Sequence, residues 1–146
     1  MRWLRWFFAL YLAAVLALTL WPQLPRTSVP GWATATVHAL ARLGVHTTVD
    51  VLEAVSNVVM FVPFGVLGVV LLGDARRRWA LRWVVLAVVG AGFALSGAIE
   101  TAQLWIPGRV STLQDVLLNG LGGLLGAAVG AWAARHRRRT MTRLFQ

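Results

Sequence analysis

Four stretches of the chain are apolar for long enough to cross a bilayer, and each is bounded by arginine, tryptophan, proline, glycine or acid. A spanning helix needs about 20 predominantly apolar residues. The runs Leu4 to Trp21, Ala54 to Leu72, Trp83 to Ile106 and Leu113 to Ala134 are of that order. Between the first and second runs the chain turns moderately polar and carries Pro22, Pro25, Pro30, Gly31 and Gly44. Within it Trp32, Ala35, Val37, Leu40, Ala41 and Leu43 recur at helical spacing, interrupted by Thr34, Thr36, His38 and Arg42. This pattern reads as a short helix on the membrane interface. The expectation is an all-α fold, a polytopic membrane bundle of four transmembrane helices over residues 4–21, 54–72, 83–106 and 113–134.

Local signals refine these elements. The first run follows Arg2 and Arg5, as a signal peptide would, but it continues past Ala13, Ala14 and Ala17 to an interfacial Trp21-Pro22, so a spanning helix is the better reading. In the second run Pro63 removes a backbone hydrogen bond and predicts a kink or the end of a half-helix. The third run stops at Pro107-Gly108, after the small residues Gly90, Ala91, Gly92, Ala94, Ser96, Gly97 and Ala98. Ser111 with Gln114, and Thr112 with Asp115, have capping-box spacing ahead of the fourth run. Gly122, Gly126 and Gly130 then repeat every four positions, which is material for close helix packing.

Composition confirms a membrane class: 58% of the 146 residues are hydrophobic and 13% charged. One membrane domain over residues 1–146 accounts for the whole length. With no cysteine there is no disulfide and no thiolate nucleophile. His38 and His46 share no ligand spacing with other residues, so no metal is expected, and no cofactor motif is present. The net charge is +9 without any lysine. The arginines cluster at the ends of apolar runs, where topology signals and anionic headgroups are met, rather than along a nucleic-acid-binding stripe.

Four spans place both termini and the Asp74 to Arg82 loop on one side, with Arg2, Arg5, Arg76, Arg77, Arg78, Arg82 and the tail arginines; Arg26, Arg42 and Arg109 fall on the other. By the positive-inside rule the termini are then cytoplasmic. Asn57, Glu100, Gln103, Asp115 and Asn119 all border the opposite, outer end, with Arg109 on the loop above them. A rise of 1.5 Å per residue sets Glu100 about 10 Å deeper than Pro107. Polar groups at such depth pair with one another or serve a site. One reading is a hydrogen-bonded network that fixes helix register; the other is an outward-facing pocket.

These residues carry a resemblance. Asn57-x-x-x-Phe61-x-Pro63-x-Gly65, then Glu100-x-x-Gln103, Pro107-Gly108-Arg109 and Asp115-x-x-x-Asn119-x-x-Gly122 resemble the VanZ-like family of small bacterial membrane proteins, over about Val49 to Trp132. The family takes its name from a protein associated with teicoplanin resistance. The resemblance implies the bacterial cytoplasmic membrane and a link to the cell envelope or its lipid-linked precursors. The stretch from Pro22 to Val49 carries none of these motifs.

Three functions follow as expectations. In the first, the pocket binds a membrane lipid, a lipid-linked envelope precursor or an amphiphilic antibiotic. Arg109 attracts phosphate or carboxylate, and Asn57, Gln103 and Asn119 hydrogen-bond the head group. In the second, an intramembrane enzyme uses Glu100 or Asp115 as acid or base with Arg109 as clamp. In the third, the chain is a transporter or accessory subunit, with a homo-oligomer formed through the Gly122, Gly126 and Gly130 stripe.

Overall fold

The computed structural model describes residues 2–20, 31–44, 46–76, 78–106 and 112–144. They form five helices, α1 (Arg2–Leu20), α2 (Gly31–Arg42), α3 (Val49–Ala75), α4 (Leu81–Gln103) and α5 (Leu113–Leu144). Four of these, all but α2, are long and apolar enough to cross a membrane. The fold is therefore all-helical, and the protein is a multi-pass membrane protein.

Helix ends differ from the limits of the apolar runs for local reasons. Thr48 caps α3, its hydroxyl accepting from the Val51 N–H at 3.3 Å, so the helix starts at Val49 and takes Asp50 into its first turn. Acid suits that end of a helix dipole. α4 ends at Gln103, short of Ile106, because Trp105 and Ile106 turn back more tightly, their N–H groups bonding the Ala102 and Gln103 carbonyls at 3.1 and 3.0 Å. The next residue is a proline, which disfavours helical backbone before it. α5 continues past the apolar span, which ends at His136, to Leu144. Arginine is a good helix former once the chain leaves the apolar layer.

Pro63 lies inside α3 and does not end it. It has no N–H to give the Val59 carbonyl. On that same turn the Tyr11 hydroxyl of α1 donates to the Met60 carbonyl at 2.5 Å. Phe8 stands beside Phe64, ring centroids 5.7 Å apart, so α1 runs antiparallel to α3 and packs on its proline-bearing turn.

The tightest packing joins α3 and α5, which run parallel with a constant offset. A Cβ added to Gly122 would stand 2.1 Å from the Val58 carbonyl oxygen, and one added to Gly126 would stand 2.0 Å from that of Val62. One more turn along, Gly130 faces Val66 and Val69. From the other side, Gly65 faces the Gly123 carbonyl, 2.2 Å from where its own Cβ would be. Such approaches admit only hydrogen on the α-carbon and bring Cα–H groups onto carbonyl oxygens, each contact contributing about 0.5–1 kcal/mol. The glycine stripe is thus taken up within the chain by α3, and is no longer free for the oligomer contact anticipated above.

α4 crosses antiparallel to both, with Phe64 against Gly92 and Val88 against Gly68. Val69, Val84, Val88, Phe61, Phe64 and Ala127 form the buried core between the three helices. Large apolar side chains such as Trp6, Leu10, Val59, Leu86, Leu117 and Val129 point outwards. In water that surface would be a liability; in a bilayer it is the lipid-facing wall.

Candidate functional site

Parallel α3 and α5 begin at the same end of the bundle, where antiparallel α4 finishes. This topology gathers the polar residues of three helices. Asp50, Glu53 and Asn57 are spaced three and four apart on α3 and share a face. Ser96, Glu100 and Gln103 do the same on α4, and Asp115 and Asn119, with Thr112 just ahead of the helix, at the start of α5.

Asp115 is the junction. Its Oδ1 accepts from the Asn57 amide at 2.6 Å, and its Oδ2 accepts from the Thr112 hydroxyl at 2.7 Å. The Asp115 N–H returns a bond to the Thr112 oxygen at 3.2 Å. Thr112 is thereby the cap of α5. In a capping box the backbone N–H of the cap residue would also go to the side chain three positions on. Here it donates to Glu100 Oε2 at 3.1 Å, so a carboxylate of α4 completes the cap of α5. Both carboxylates thus accept at the N-terminal end of α5, where a helix leaves N–H groups without partners of its own.

Gln103, on the same face of α4, bonds to a different helix, its amide donating to the Thr19 carbonyl near the end of α1 at 2.9 Å. One turn deeper than Glu100 and Asp115, the Asn119 amide donates to the Ser96 hydroxyl at 2.9 Å. Asn119 is 3% exposed and its Oδ1 has no hydrogen-bond partner among the described residues.

The structure therefore brings Asn57, Glu100, Asp115 and Asn119 to one end of the α3–α4–α5 contact, while Gln103 ties α4 to α1. Arg109, with Pro107, Gly108 and Ser111, lies outside the described residues. In the sequence Asp50 and Glu53 stand out only as acid bounding the second apolar run, and Ser96 only as a small packing residue. Their spacing relative to Asn57 and Glu100 was the signal that they belong to the same faces.

Next to this network is a cavity of about 250 Å3 between the starts of α3 and α5, lined by Asp50, Glu53, Ala54, Thr112, Gln114, Asp115 and Leu118. Its wall combines three carboxylates, an amide and a hydroxyl with an apolar floor. The chain has five acidic residues, and Asp74 alone is away from this end. The described arginines of α1, α4, the start of the α3–α4 connection and the end of the α5 span are at the other end. Among the described residues no three histidine, aspartate or glutamate side chains converge as metal ligands. The carboxylate, amide and hydroxyl oxygens of this lining can accept hydrogen bonds from hydroxyl or ammonium donors.

A multi-pass helical protein with a polar network at one end of an otherwise apolar bundle defines the class. The profile of the VanZ/LLP1 family matches residues 8–134. The chain belongs to that family, and the match takes in α1 and α2 as well as the motif-bearing helices. No curated protein and no solved structure matches it.

Proposed function

We propose that this protein binds the head group of a lipid-linked or amphiphilic molecule of the bacterial cell envelope at the acidic end of the bundle, from the outer leaflet of the cytoplasmic membrane, with both termini cytoplasmic. The observation that carries the reading is the cavity of Asp50, Glu53, Thr112, Gln114 and Asp115, held in shape by the Asn57–Asp115–Thr112–Glu100 network. Carboxylates there supply acceptors for sugar hydroxyls or ammonium groups, and Arg109, three positions before Thr112 in sequence, supplies a guanidinium for phosphate. The charge distribution supports the orientation, since arginines collect on the cytoplasmic side.

Two observations favour binding over the alternatives. Glu100 and Asp115 already accept bonds that hold helices together, which suits a scaffold for the cavity better than a shuttling acid and base. The core towards the arginine-rich end, among the described residues, is Val69, Val84 and Val88, so the polar groups do not continue across the bundle as a transport path would require.

The test uses purified protein in nanodiscs, incubated with envelope lipid extracts and lipid-linked precursors, with retained species read by native mass spectrometry. The expected result is a retained amphiphile that Glu53→Gln loses while the variant still folds. Equal retention by wild type and Glu53→Gln would remove the cavity from the reading, and a chemically altered product would replace binding by catalysis. A raised teicoplanin tolerance on expression in a susceptible strain is the expected phenotype if the bound amphiphile is the antibiotic or its target.

A further inference from the structure

We infer that the opposite, arginine-rich end carries a separate site for an anionic phospholipid, seated in a groove at the start of α4. The groove has a volume of about 660 Å3 and is lined by Arg78, Trp79, Ala80, Trp83, Leu86 and Ala87. Its two ends differ in chemistry. Arg78, Trp79 and Ala80 precede the first turn of α4, where the helix dipole is positive. Trp83, Leu86 and Ala87 continue along one face of α4 at helical spacing, into the apolar span.

The guanidiniums around the groove are pre-set. Arg76 lies over the Trp79 ring at 5.6 Å from its centroid, and Arg82 over the Trp83 ring at 5.5 Å. Stacking on a ring face fixes a guanidinium without using the N–H edges that bind phosphate oxygens. Asp74 lines a neighbouring recess of about 340 Å3 together with Arg76, Arg78 and Trp79, and it is not among the residues that line the groove itself. Trp79, Trp83 and Leu86 are 46%, 54% and 58% exposed, a wall available to an acyl chain. Tryptophans at this level are also what the boundary between headgroups and hydrocarbon favours.

Charge complementarity selects the occupant. A second copy inserted in the same orientation would face its own Arg76, Arg78 and Arg82 across a two-fold contact, like against like. A lipid brings the opposite charge to the same place: its phosphate meets Arg78 and Arg82, and one acyl chain follows Trp83, Leu86 and Ala87. None of these residues belongs to the acidic cavity, so the site stands or falls independently of the proposed function.

The experiment is native mass spectrometry of detergent-purified protein with dioleoylphosphatidylglycerol or dioleoylphosphatidylcholine added at equal concentration. Each guanidinium at an anionic surface is worth about a fivefold preference, so wild type should favour the anionic lipid by roughly tenfold or more. R78Q/R82Q should bring the two lipids to parity, R78K/R82K should keep most of the preference, and Ala87→Trp, which fills the groove, should lose the bound lipid. Parity in wild type would overturn the proposal, as would a preference unchanged in R78Q/R82Q. A concentration-dependent dimer that Ala87→Trp dissociates, without lipid preference, would assign the groove to a second copy instead.

Discussion

Asn119 shows how much a single polar atom constrains this bundle. Its amide nitrogen has Ser96 and its oxygen has no partner among the described residues, in a setting where an unmade hydrogen bond costs about 1–3 kcal/mol. Ser96→Ala leaves the nitrogen bare as well and should lower stability by about that amount, read as thermal unfolding in detergent. Replacing both members by apolar residues, Ser96→Ala with Asn119→Leu, should recover most of the loss, because removing both partners of a buried bond is close to neutral. If the double variant is as unstable as the single one, the pair is not acting through its hydrogen bond. Tyr11 is the corresponding residue on α1: Tyr11→Phe gives up the bond to the Met60 carbonyl, and a loss of about 0.6 kcal/mol is expected from the average for such bonds in membranes.

Between elements the decisive contact is backbone on backbone. Gly126→Ala sets a methyl 2.0 Å from the Val62 carbonyl oxygen, so α3 and α5 must separate. Overpacking of this kind costs about 1–3 kcal/mol, and the melting temperature should fall accordingly. Gly123 is the control on the same helix. A Cβ there meets nothing within 4 Å, so Gly123→Ala should be neutral or stabilising by up to about 1 kcal/mol, as a helical glycine-to-alanine exchange allows. Equal effects at the two positions would mean that the α3–α5 interface is looser than drawn. The helix termini were partly legible in sequence. Thr112 and Asp115 announced the start of α5 by their spacing, but the acceptor of the Thr112 N–H is Glu100 of another helix. A local pattern carries no information on such a partner.

At the scale of the molecule, the two ends are chemically opposite. The chain contains no cysteine, so single reporters can be introduced cleanly. Thr47→Cys, ahead of the acidic end, should react with an impermeant maleimide added outside intact cells, whereas Asp74→Cys should react only after the membrane is opened. The reverse result would invert the orientation and move the proposed cavity to the cytoplasmic leaflet. The family assignment would survive, because it rests on the match over residues 8–134 and not on sidedness.

The number of spans, the chemical difference between the ends and the family were all readable in the chain. They depend on composition and spacing over a few turns, and a bilayer enforces them. Which helix each residue touches was decided by the tertiary structure. In a membrane the lipid-facing and helix-facing sides of a span are equally apolar, so hydropathy does not tell them apart. The sequence pattern thus left the stripe of Gly122, Gly126 and Gly130 open to an oligomer, and only the register of α5 on α3 assigned it to Val58, Val62 and Val66. The same register joins Asn57 to Asp115 across 58 residues, and the α1–α4 contact joins Gln103 to Thr19 across 84. Partners so far apart in sequence meet only once the packing of backbones has set the depth of each helix.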